Sequence, residues 1–176
     1  MNPSPDQASR FKAWLEEHRG IVIKVARSFA PAPADAADLQ QEMLLQLWTS
    51  LDSYAGQAKP STWIYRVCLN TALTWRRGTA RRQRHIEPEA DIARIAAETG
   101  SPADRAGERE SLERLYAAIH ALPMFDRALV LLALDGLAYR EIAEITGLTE
   151  NHVGVSLTRA RKRLAELMKG AIDELE

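Results

Sequence analysis

Residues Ser61 to Arg84, S-T-W-I-Y-R-V-C-L-N-T-A-L-T-W-R-R-G-T-A-R-R-Q-R, constrain the fold more tightly than any other stretch. The first half is dense in aromatic and aliphatic side chains. Arg66, Arg76, Arg77, Arg81, Arg82 and Arg84 are interspersed or follow, with no acidic residue among them. A segment that is both core-forming and arginine-loaded fits a largely buried helix whose one wet edge faces a polyanion. Helical spacing from Trp63 to Arg77, about 22 Å of helix, gathers Arg66, Asn70, Thr74 and Arg77 into a narrow polar stripe. Ile64, Val67, Cys68, Leu69, Ala72, Leu73 and Trp75 fill most of the remaining surface.

The rest of the chain repeats the helical period. Phe11, Trp14, Leu15, Ile21, Val22, Val25 and Phe29 predict helix from Arg10 to Phe29, with Gly20 as a point where the run divides in two. Pro31 and Pro33 end it. Asp35 or Asp38 is the expected N-cap of the next helix, which runs to about Leu51 and buries Leu39, Met43, Leu44, Leu47, Trp48 and Leu51. Its outward side carries Asp38, Gln41, Glu42 and Leu45 in one row. Asp52 to Ser61 reads as a loop broken by Gly56 and Pro60, with Ser61 or Thr62 capping the arginine-rich helix.

Charge divides the chain. Residues 1–84 hold 12 Lys/Arg against 7 Asp/Glu, residues 85–113 hold 3 against 8, and residues 114–176 hold 8 against 9. The acidic middle, His85 to Ser111, is poor in large apolar residues and interrupted by Pro88, Gly100, Pro102 and Gly107. It reads as an interdomain linker with one transient turn near Ile92 to Glu98. Beyond it, Leu112, Leu115, Ile119 and Leu122 restore the helical pattern as far as Pro123. A further helix runs from Asp126 to Asp135, and Gly136–Leu137 forms its glycine stop.

Tyr139 to Leu164 has the pattern of a helix-turn-helix. Ala143 permits a close crossing, Gly147 suits a left-handed turn, Thr149 caps the second helix, and Val153, Leu157, Ala160 and Leu164 form its buried stripe. With no alternating run to suggest a strand, the fold class is all-α: two small helical domains, 1–84 and 112–176, joined by a flexible linker over 85–111.

Several functions are disfavoured. The single cysteine, Cys68, allows no internal disulfide and no cysteine-based metal cluster, and reads as a small buried hydrophobe. His18, His85, His120 and His152 lack metal-ligand spacing and a partnered nucleophile, and no glycine-rich phosphate loop is present, so neither an enzyme nor a cofactor is expected. The sequence has no signal-peptide core and no apolar run near the roughly 18 residues that span a bilayer, so a cytoplasmic location without membrane contact is expected. Tyr54, Trp63, Tyr65 and Trp75, interleaved with arginines, offer flat faces for unstacked bases. Core packing is the competing role, favoured for Trp75, whereas the loop position of Tyr54 favours stacking.

Three segments in order, D-A-A-D-L-Q-Q-E-M-L-L-Q-L-W, S-T-W-I-Y-R-V-C-L-N-T-A-L-T-W-R-R and L-D-G-L-A-Y-R-E-I-A-E-I-T-G-L-T-E-N-H-V, resemble bacterial sigma factors of the extracytoplasmic-function group, the compact branch of the sigma-70 family. The resemblance implies a non-enzymatic subunit that binds core RNA polymerase, through the clamp helices of the largest subunit and the flap region, and directs it to promoter DNA. It places Asp38, Gln41, Glu42 and Leu45 on the clamp helices. It assigns Asp52, Ser53, Tyr54, Trp63, Arg66, Asn70, Thr74, Arg76 and Arg77 to the minus-ten element, the loop from Asp52 to Lys59 catching a flipped non-template base and Asn70 making the best-matched base contact. Flipping costs a few kcal/mol of stacking, which the capturing pocket must return.

The same resemblance assigns Tyr139, Arg140, Asn151, His152, Ser156, Arg159, Arg161 and Lys162 to the minus-thirty-five element, and implies an anti-sigma factor as a further partner. Gly154 and Ser156 depart from the pattern, standing where many relatives carry Arg or Lys. Each missing phosphate contact lowers the salt slope by about one unit, so weak DNA binding by this module alone is expected. The rival reading is a homodimeric helix-turn-helix regulator that acts without polymerase on a palindromic site.

Overall fold

The computed structural model describes residues 5–83 and 102–173. Among the described residues the backbone forms seven α-helices, one 3-10 turn at Leu51–Ser53 and no strand. The helices are α1 (Pro5–Phe29), α2 (Pro33–Ser50), α3 (Pro60–Gln83), α4 (Pro102–Ala121), α5 (Met124–Leu134), α6 (Tyr139–Thr146) and α7 (Glu150–Asp173).

Four sequence expectations need correction, three of them at helix starts. Gly20 does not divide α1, which is continuous for 25 residues. A mid-helix glycine costs roughly 1 kcal/mol relative to alanine, and burial of Ile21, Val22, Val25 and Phe29 in the following turns offsets it. Neither Asp35 nor Asp38 caps α2. Ala32 is the N-cap and Pro33 opens the helix, a position where its missing N–H removes no hydrogen bond, while Asp35 acts through the helix dipole from the first turn.

The third correction concerns α3, which starts at Pro60 rather than at a Ser61 or Thr62 cap; the Lys59 carbonyl accepts the Trp63 N–H at 3.1 Å, and Thr62 is buried. The fourth concerns the linker, which lies outside the described residues up to Ser101, together with the expected turn at Ile92–Glu98 and with Arg84. From Pro102 the chain is already α4, so a linker reaching Ser111 is too long. Pro102 opens this helix, and the Arg109–Glu113 and Glu110–Arg114 pairs, each four residues apart, support it.

The turns follow their chemistry. Gly136 has φ 76° after α5, and the Leu137 N–H returns to the Leu132 carbonyl at 3.2 Å. Gly147, with φ 75°, ends α6 and sends its N–H to the Ala143 carbonyl at 2.9 Å, and Thr149 Oγ1 accepts the His152 N–H at 3.3 Å. α6 and α7 are thus a helix-turn-helix, with Val153, Leu157 and Ala160 fully buried.

One hydrophobic cluster runs through both halves of the chain. It takes Val25, Phe29, Leu39, Met43, Leu47, Ile64, Cys68 and Leu69 from the first three helices, and Leu129, Leu132, Ile142, Val153 and Leu157 from the last three. A smaller cluster of Ile119, Leu122, Val130 and Ala160 fastens α4 to α5 and α7. Across the two halves α1 packs on α4 and α5, and α3 packs on α6. The sequence separates the halves; the fold seats one on the other.

Candidate nucleic-acid interface

The packed pair α2 and α3 presents two polar edges. Asp38, Gln41, Glu42 and Leu45 are all exposed on α2, Leu45 at 53% despite its apolar side chain. On α3 the stripe of Arg66, Asn70, Thr74 and Arg77 is exposed, while Ile64, Tyr65, Cys68, Leu69 and Ala72 are buried. Between the two edges lies an open groove of about 460 Å³ lined by Glu42, Gln46, Asn70, Thr71, Thr74, Trp75 and Gly78. Gln46 Nε2 donates to Glu42 Oε1 at 3.2 Å, holding one wall of it. Gln46, Thr71 and Gly78 were not among the residues singled out from the sequence. Their signal is periodic: Gln46 lies four residues after Glu42, and Gly78 four after Thr74.

The segment before α3 is held by an aromatic cluster. Tyr54 meets Trp14 edge-on at 4.9 Å and Trp63 at 5.6 Å, and Trp14 meets Trp63 at 5.7 Å between centroids. The Tyr54 hydroxyl donates to the Ala58 carbonyl, closing the loop on itself, while Asp52 and Ser53 remain exposed. Tyr54 and Trp63 are half-buried, so both anchor the loop as well as bordering solvent. Trp75 packs against the core and also lines the groove. Arg76 is half-buried.

In the helix-turn-helix, Tyr139, Arg140, Asn151, His152, Arg159, Arg161 and Lys162 are exposed, and Ser156 is half-buried. Gly154 lies under the Tyr139 ring; a Cβ there would sit 3.4 Å from Tyr139 Cε2. A methyl group there would make ordinary van der Waals contact with the ring, so the passage of α7 beside the first residue of α6 does not depend on the glycine. Glu141 accepts the Ala138 N–H at 3.0 Å, closing half of a capping box.

The seam between the halves brings together residues that the sequence left apart. Lys59 pairs with Glu141 at 2.8 Å, Arg66 donates to the Glu144 carbonyl, and Lys24 pairs with Asp135. His120 Nε2 meets the Arg27 carbonyl at 2.6 Å. Arg127, 3% exposed, donates to the carbonyls of Ser28 at 3.2 Å and Leu122 at 3.1 Å and to that of His120, and stacks over the Phe29 ring. Burial, reinforced by nearby Arg76, pushes the Arg127 guanidinium down to about 10. Burial also lowers His120, with Arg127, Arg76 and Arg27 adding to the effect against the Arg27 carbonyl bond. The Lys59 contact, above all, holds the Glu141 carboxyl below its ordinary range. Cys68 is buried and its thiol is pushed up to about 12 by desolvation. No group of His, Cys, Asp and Glu among the described residues could hold a metal, and no described helix is long and apolar enough to cross a membrane.

Residues 14–82 match the family model of sigma-70 region 2, and residues 112–164 match that of sigma-70, region 4. The chain belongs to the sigma-70 family. This sigma-70 chain is 31% identical to the ECF RNA polymerase sigma factor SigG of Mycobacterium tuberculosis, over 98% of its own length and 52% of that protein. It therefore spans about half the length of the first curated relatives it matches. It is 29% identical to the ECF RNA polymerase sigma-E factor of Escherichia coli K12, over 88% of this chain and 84% of that one. Two solved structures share its fold. One is the sigma factor RpoE in complex with the anti-sigma factor NepR from Bartonella quintana, with a TM-score of 0.73 and 24% identity over 91% of this chain and 97% of that one. The other is CnrH in complex with the cytosolic domain of CnrY, with a TM-score of 0.64 and 22% identity over 91% and 88%.

Proposed function

We propose that this chain is a promoter-specificity subunit of RNA polymerase. Its exposed α2 row, Asp38, Gln41, Glu42 and Leu45, docks on the clamp helices of the largest subunit, and its C-terminal module reaches the flap region. Arg66, Asn70 and Thr74 contact the minus-ten element, with Asn70 reading a base edge and Arg76 and Arg77 holding phosphates. Asp52, Ser53, Tyr54 and Trp63 border the pocket for a flipped base. Tyr139, Arg140, Asn151, His152, Ser156, Arg159, Arg161 and Lys162 contact the minus-thirty-five element. One observation carries the reading: Glu42 of the α2 row and Asn70 and Thr74 of the α3 stripe line a single open groove, in a chain that also holds a helix-turn-helix.

The chemistry belongs to the polymerase; this subunit binds, positions and traps unstacked bases. Acting with polymerase places it in the cytoplasm. An anti-sigma factor that covers the polymerase-docking surfaces is the proposed inhibitor, since both structural neighbours were solved with a partner and that of RpoE is an anti-sigma factor. Run-off transcription with purified core polymerase tests the assignment. Promoter-dependent initiation is expected only when this chain is added. Polymerase-independent binding of a palindrome by a homodimer, with no initiation, would replace it by the regulator reading.

A further inference from the structure

Val155 is the outermost position of the second helix of the helix-turn-helix, and it is apolar. At about 100° per residue, it lies roughly opposite the buried Val153 and Leu157, at the centre of the outward face of α7, and it is 53% exposed. Single exposed apolar residues are common and by themselves mean little. The surroundings of this one mean more. Asn151, His152, Thr158, Arg159 and Lys162 lie within two turns on the same side of α7, and all of them are exposed. No acidic residue occurs between Asn151 and Ala165, while Arg159, Arg161, Lys162 and Arg163 follow closely on one another. A valine set among an amide and a row of cations complements a polyanion that also offers an apolar group.

The positions beside the valine are small. Gly154 and Ser156, the two departures from the family pattern, lie about 100° to either side of it around the helix. Packing does not demand the glycine, since a methyl there would touch the Tyr139 ring at an ordinary distance. Valine is short, so it can touch a base only where the helix backbone comes close to the groove floor. Long side chains at positions 154 and 156 would meet the phosphate-lined groove walls first; glycine and serine leave that approach open. Thr158 Oγ1 donates to the Gly154 carbonyl at 2.9 Å, so the hydroxyl one turn beyond the valine is committed to backbone. Asn151 and Arg159, four residues before and after, are exposed and supply hydrogen bonds to neighbouring bases.

Among the base-edge groups presented in the major groove, the apolar one is the C5 methyl of thymine. We propose that Val155 is a specificity-determining residue of the helix-turn-helix, packing its methyls on the C5 methyl of a thymine in the minus-thirty-five element. The proposal rests on the reading of α7 as the helix that contacts that element, and adds to it a residue and a base. It also gives Gly154 and Ser156 a role: phosphate contacts are given up for depth in the groove.

The methyl can be removed from the DNA as well as from the protein. Holoenzyme assembled from the full chain and purified core polymerase is used to select binders from duplexes randomised over both promoter elements. Each thymine that the selection fixes in the minus-thirty-five element is then replaced singly by deoxyuridine, which keeps every hydrogen-bonding group and lacks the methyl. One such replacement is expected to weaken holoenzyme binding by about fourfold, the effect of burying one methyl-sized group. Val155→Ala should fold normally, because the side chain is exposed, and should bind the thymine and uracil duplexes alike. Equal binding of the two duplexes by the native chain, or a selection that fixes no thymine there, overturns the proposal and leaves the valine to a protein partner. A uracil penalty that survives Val155→Ala also overturns it, since another group then reads the methyl. A selection that enriches nothing at minus thirty-five overturns the assignment of α7 beneath the proposal, an outcome distinct from the others.

Discussion

Packing within each half and packing between the halves follow different rules. Inside the first half, Leu39 and Met43 are 0% exposed and belong to the main apolar cluster. Between the halves, Lys24–Asp135, Lys59–Glu141, Arg66–Glu144 and the Arg127 carbonyl fan accompany the apolar contacts. Apolar burial is non-directional and holds a fold together; polar contacts of this kind exchange readily with water and hold a conformation. The lesson is that contacts within a half and contacts between the halves differ in how far polar atoms take part.

Breaking a contact within a half should cost most. Leu39→Ala is expected to destabilise the chain by about 2–5 kcal/mol through lost burial and a residual cavity, measured by denaturant unfolding; a cost below the range would mean α2 is not part of the lasting core. Asn70→Ala touches neither side of the comparison, since its side chain is exposed on the groove. It should weaken opening at the minus-ten element by about 1–3 kcal/mol with unchanged polymerase affinity, read by permanganate reactivity of melted thymines. A defect in polymerase binding instead would show α3 to be misassigned.

Acid should loosen the seam before the core. His120 is held neutral against the Arg27 carbonyl, with Arg27, Arg76, Arg127 and Tyr116 around it, and its folded pKa is lowered. The unfolded or opened state therefore takes up the proton first. Closure is at its full strength above the ordinary histidine pKa of about 6.5 and weakens as pH falls through that value toward the lower folded one. Interdomain energy transfer followed from pH 8 to pH 5 should show opening, and His120→Gln should flatten the profile. Smallest of all, Lys24→Ala should cost less than about 1 kcal/mol in stability, because the lysine is 40% exposed. A larger loss would place this pair with the contacts inside a half.

Much of this was legible in the residues. The α3 stripe follows from period 3.6 alone: Arg66, Asn70, Thr74 and Arg77 are exposed as the spacing requires, and Cys68, Leu69 and Ala72 are buried between them. Gly147 and Thr149 place the helix-turn-helix because a left-handed turn and a hydroxyl cap are local chemistry. Helix starts were read less well. Pro33, Pro60 and Pro102 look like breakers in a sequence, yet each opens a helix, since proline blocks the turn before it and not the one after.

The sequence by itself determined the helices, their buried faces, the two polar edges and the family, because each depends on residues a few positions apart or on ordered motifs. Only the tertiary structure decided that the halves close on one another, that Gln46 and Thr71 share a groove with Asn70, and that Arg127 is buried against carbonyl groups with no carboxylate partner among the described residues. Those contacts join residues far apart in the chain, such as Arg66 with Glu144 and Ser28 with Arg127. Nothing in a local period encodes them. They arise when apolar faces left over on α1 and α5 find each other and bring their polar neighbours along.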